Sequence, residues 1–97
     1  MKSNTTVNRM GLGIAWFRRE DWPDLLKVAT DGDLLSPNYE EWEEKENARF
    51  NELTSRGVLV QKVLVDLHEL IQWCQEQDLH VDAGARSRFV AEKIRRG

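Results

Sequence analysis

The chain is short of the residues that usually announce a chemistry. It has one cysteine and two histidines among 97 residues. A lone cysteine, Cys74, excludes an intramolecular disulfide and fits a reducing compartment. Cys74 and His68 are close in sequence, but helical spacing sets them about 240° apart on one helix, so they cannot form a nucleophile–base dyad. His80 falls in a connector and reaches Cys74 only through the fold. One cysteine and two histidines without ligand spacing make a poor metal set, and no metal is expected. The glycines are equally uninformative. Gly11-x-Gly13 lacks a third glycine and precedes its strand, which excludes a dinucleotide fingerprint. Asp31-Gly32-Asp33 begins like a calcium loop, but the next ligand position is Leu35. No cofactor is expected. Long apolar runs and signal-peptide patterning are missing too, so the expectation is a cytoplasmic protein without membrane contact. A formal charge of −3 argues against bulk attraction to nucleic acid or anionic lipid.

What is present is an ordinary folding composition, 40% hydrophobic and 32% charged. Residues 1–9 are polar and aperiodic, and read as a disordered tail, with Met10 a second candidate start. Met10-Gly11 lacks the serine or threonine of a myristoylation signal. Residues 10–97 are expected to form a single α+β domain.

Two strand-helix-helix units follow. The first strand covers Leu12 to Phe17, apolar on both faces. Asp21 starts a helix, with Pro23 in its first turn. Thr30-Asp31-Gly32-Asp33 breaks it, and Ser36-Pro37 restarts a second helix that runs to Arg56 and ends at Gly57. The second strand covers Val58 to Val65. Asp66, with Glu69 three residues on, caps a third helix, and Asp82 caps a fourth. Asp21 superposes on Asp66 and Leu25 on Leu70, a pattern of internal duplication. A pseudo-twofold axis would pair the two strands antiparallel with four helices around them. Two strands leave open edges, which invite a second copy of the chain.

Three features stand out as candidate sites. Glu46 falls inside the apolar stripe of the second helix, between Tyr39, Trp42, Phe50 and Leu53, at about 100° per residue. It is either a pocket acid, with Trp42 and Tyr39 beside it, or a carboxylate on a partly exposed stretch of helix, or one paired with an arginine such as Arg86. Trp73 lies off the centre of the third helix's stripe, as a partner or groove contact would. The second helix opens with Glu40, Glu41, Glu43, Glu44 and Glu46 against Lys45. The fourth carries Arg86, Arg88, Lys93, Arg95 and Arg96 against Glu92. Opposite fields suggest that these helices face each other, within one chain or across a dimer. A helix-turn-helix reading fails, because Asp78 takes the glycine position and Gly84 and Ser87 take apolar ones.

The run Gly13-Ile-Ala-Trp-Phe-Arg-Arg-Glu-Asp-Trp, with Tyr39-Glu-Glu-Trp42 and Trp73-Cys74, resembles a group of small uncharacterised bacterial proteins. The resemblance implies a bacterial cytosolic protein and brings no catalytic residue. The expectation is therefore a non-enzymatic domain acting through protein contacts or self-association, with an unknown protein partner. Its competitors are a nucleic-acid-associated protein using the basic fourth helix, and a small-molecule binder or enzyme built on Glu46.

Overall fold

A computed structural model describes residues 11–96; the tail expected at 1–9 lies outside them. Strand β1 (Leu12–Trp16) leads through a single helical turn into α1 (Trp22–Val28). A second short turn precedes α2 (Tyr39–Ser55), and β2 (Val60–Leu64), α3 (Leu67–Glu76) and α4 (Ala83–Arg96) complete the order. The result is a mixed α+β arrangement whose element order is strand-helix-helix twice.

The strands pair parallel, with Leu12 opposite Val60 and Trp16 opposite Leu64. This corrects the antiparallel pairing expected from a pseudo-twofold axis. Parallel neighbours need a long crossover to bring the chain back to the same end. The segment holding α1 and α2 supplies it. Helix α2 packs on one face of the sheet, where Trp16 lies 5.1 Å from Trp42 between ring centroids. Helix α4 packs on the other face, across Gly13. A Cβ built on Gly13 would stand 2.4 Å from Ile94 Cδ1 and 2.6 Å from Val90 Cγ1, so only glycine admits the helix this closely.

Several boundaries follow local chemistry. The Asp66 carboxylate accepts from the Glu69 N–H at 3.1 Å, and the Asp82 carboxylate from the Ala85 N–H at 2.9 Å. These are the two caps expected. Gly57 takes φ +84° past the end of α2, the left-handed stop its position implied. Two starts differ from expectation. Asp21 makes no side-chain cap bond, and α1 begins after a short turn at Arg19–Asp21. Helix α2 is capped by Asn38, whose side chain accepts from the Glu41 N–H, rather than by Ser36. The reason is tertiary: Trp22 Nε1 donates to the Ser36 carbonyl at 2.9 Å and holds that segment as an extended connector.

The core joins Phe17, Trp22, Leu25 and Trp42 at one end to Leu70, Trp73, Cys74 and Phe89 at the other. Trp42 is the hub of the aromatic half, 4.7 Å from Trp22 and 5.3 Å from Tyr39 between centroids. Such pairs add about 0.5–1.5 kcal/mol each beyond area burial.

Candidate functional site

Among the described residues the outer edge of β1 has no strand partner, and it lies on the floor of a cleft. Leu12 donates its N–H to the Leu59 carbonyl and Val65 donates to the Trp16 carbonyl, each at 2.8 Å. In a parallel ladder this phase turns the backbone groups of Leu12, Ile14 and Trp16 toward β2. The N–H and C=O groups of Gly13 and Ala15 therefore point to the opposite, outer edge. On that side the cleft is walled by α2 from one face of the sheet and α4 from the other. Its volume is about 370 Å³.

The floor is apolar, with Phe17, Trp22, Trp42 and Val90, and the mouth is charged. Glu46 lines the cleft with a side chain only 21% exposed, its carboxylate 3.5 Å from Arg49. Its partner is thus Arg49, one turn along the same helix, and not Arg86. Arg86 lines the cleft as well, but its guanidinium grips Asp31 with two parallel bonds of 2.9 and 2.8 Å. That hydrogen-bonded guanidinium holds the Asp31 carboxyl below the ordinary carboxylate range, against the opposing effect of burial. Lys45 stands exposed at the mouth. Tyr39, expected beside Glu46, instead donates its hydroxyl to the Phe17 carbonyl at 2.6 Å, at the end of β1. Burial, then the nearby Glu43 charge, pushes its phenol upward.

The remaining candidates gather at the other end of the molecule. Trp73 is 7% exposed, within the core, edge-on to Phe89 at 5.5 Å between centroids. Its Nε1 is buried without an acceptor among the described residues. The ring also lines a shallow groove of about 400 Å³ with Phe89, Lys93 and Arg96. The Arg88 guanidinium lies 5.7 Å from the Trp73 ring centroid. Lys93 bridges to Glu69 at 2.8 Å, and Arg96 to Glu92 on its own helix at 3.1 Å. Arg95 is exposed. The structure thus brings Trp73, Arg88, Lys93 and Arg96 together and sends Arg86 to the cleft.

Among the described residues, neither place sets the one cysteine beside a histidine. Cys74 is buried, and burial followed by the Asp82 charge pushes its thiol upward, away from the thiolate. Among the described residues no cluster of His, Cys, Asp or Glu is arranged to hold a metal ion. No described helix is long and apolar enough to cross a membrane.

Sequence reasoning placed Trp42 and Glu46 in the cleft but missed Gly13, Ala15, Lys45, Arg49 and the Asp31 clamp on Arg86. The Gly13 signal was legible as a glycine inside an apolar strand, which marks a close backbone approach. Comparison with family models, curated proteins and solved structures gives no match to this chain.

Proposed function

We propose that this domain recognises an extended segment of a partner protein by strand addition to β1. The observation that carries the reading is the ladder phase, which directs the backbone groups of Gly13 and Ala15 into a walled, apolar-floored cleft. An unpaired strand edge supplies main-chain hydrogen bonds of fixed spacing, and the pockets flanking it select alternate side chains. Here the floor offered to those side chains is Trp22, Trp42 and Val90, with Lys45 and Arg49 at the mouth. The domain is a binding module with no catalytic step.

The test is selection from a displayed library of random heptapeptides, followed by amide exchange. In the free protein the Gly13 and Ala15 amides exchange fast while Ile14 and Val63 are protected. Bound peptide protects Gly13 and Ala15. Ala15→Pro deletes one outward N–H and leaves the β1–β2 ladder intact, so it abolishes binding while the circular dichroism stays native. Selected peptides that bind Ala15→Pro as tightly as the parent, or a library that yields no binder, would overturn the reading.

A small apolar ligand is the second reading, favoured by the cleft volume and by Trp42 beneath Glu46. Such a ligand would quench tryptophan emission without protecting the Gly13 and Ala15 amides.

A further inference from the structure

The opposite charges of α2 and α4 do not meet inside the chain. Among the described residues no ion pair joins these two helices. The outward faces of both helices have a matching layout. On α2, Glu44 and Glu52 flank Ala48 by one turn each way, all three exposed. On α4, the exposed Arg88 and Arg95 flank the half-buried Ala91. At 1.5 Å rise per residue the two glutamate positions are about 12 Å apart along the axis and the two arginine positions about 10.5 Å. A small residue at the centre of each strip lets helix axes approach closely, and the flanking charges then fall opposite one another.

We infer that α4 of one copy docks against α2 of a second copy, Ala91 over Ala48, with Arg88 and Arg95 facing Glu44 and Glu52. The occupant is a second copy because one chain carries both complementary strips and, among the described residues, no ion pair joins one strip to the other. From α2 the cleft is lined by Trp42, Lys45, Glu46 and Arg49, and not by Glu44, Ala48 or Glu52. This association therefore stands or falls independently of peptide recognition. Each rim pair is individually weak, so the contact is salt-sensitive and its register is set by charge. Glu52 has Arg56 as an intrahelical partner at 3.2 Å, and the Arg88 guanidinium lies 5.7 Å from the Trp73 ring centroid.

Sedimentation equilibrium at about 50 and about 500 mM salt tests the inference, because exposed pairs are largely screened at the higher value. The parent chain associates at low salt and loses roughly tenfold or more in affinity at high salt. Arg88→Glu/Arg95→Glu is monomeric, and so is Glu44→Lys/Glu52→Lys. Mixing these two variants restores association, now strictly between unlike chains. Arg95→Glu alone, which disturbs no described contact, shifts affinity in the same direction and guards against misfolding at Arg88. A parent that is monomeric in both salts, association indifferent to the reversals, or a mixture that stays dissociated would each overturn the inference. So would retention of nucleic acid by Arg88 and Arg95 in a chain that remains monomeric.

Discussion

Gly13→Ala tests the seating of α4 on the sheet more sharply than any cavity variant. The added methyl would sit 2.4 Å from Ile94 Cδ1, 2.6 Å from Val90 Cγ1 and 3.3 Å from Val63 Cγ2. Ile94 can turn its terminal methyl aside. Val90 cannot, because a β-branched side chain in a helix has one strongly preferred rotamer. Ordinary contact needs another ångström or more at Val90, so α4 must lift from β1 along its length. Overpacking of this kind costs about 1–3 kcal/mol. Replacing a strand glycine by alanine returns roughly 0.5–1 kcal/mol through lost unfolded-state freedom. The expected net loss is about 1–2 kcal/mol, a fall of roughly 4–15 °C in melting temperature for a domain of this size. Urea denaturation of the parent, Gly13→Ala, Val90→Ala and the double variant closes the cycle. The second methyl's room is made by the first deletion, so the double variant is more stable than the sum of the singles by about 1 kcal/mol or more. A Gly13→Ala protein as stable as the parent, or a cycle with no coupling, would refute the contact that sets α4 against β1.

Three further outcomes follow from the packing. Arg86→Met should cost about 2 kcal/mol at neutral pH, since it strands the half-buried Asp31 without its two charge-assisted bonds. Asp31 titrates below its ordinary value of 3.8 in the folded chain, so its stabilisation is complete above about 3.8 and is lost as pH falls through the folded value. The difference between parent and Arg86→Met in urea melts should therefore shrink below that pH, and a constant difference would contradict the pairing. Trp73→Phe should cost less than about 1.5 kcal/mol in the same melts, because the indole N–H it removes is already without an acceptor; Trp73→Ala, which empties the core, should cost about 3–5 kcal/mol. Cys74 should react with a thiol reagent only at the rate of unfolding, so that adding sub-denaturing urea accelerates labelling.

Much of the frame was legible where a local rule decides. Asp66 and Asp82 cap helices because a carboxylate reaches the third N–H wherever the chain turns into a helix, and Gly57 ends one because only glycine takes that φ freely. Helical periodicity put Trp42 and Glu46 on one face of α2, and both line the cleft. Strand direction was not legible, because nothing in a strand's own residues records which way its neighbour runs; the crossover through α1 and α2 decides it. Ser36-Pro37 misled because the Trp22 indole, fourteen residues away, claims the Ser36 carbonyl. Trp73 sat at the border of its helix's stripe, and α4 covers that border with Phe89, which turns an apparent flank into interior. The outer edge of β1 required the ladder phase, which exists only once both strands are paired.

The parallel pairing also governs how the chain gets to its native state. A hairpin closes over a turn of a few residues and can form early, whereas β1 and β2 meet only after all of α1 and α2 lies between them. Closing a loop of that length costs roughly 3–4 kcal/mol of chain entropy before the first strand–strand bond forms. The helices, and the Trp22–Trp42 stack that fastens them, must shorten that loop first. The sheet is accordingly expected to assemble last, with the transition state weighted toward the aromatic half, so that in stopped-flow measurements Trp42 variants should slow refolding while Val60 and Val63 variants should mainly hasten unfolding.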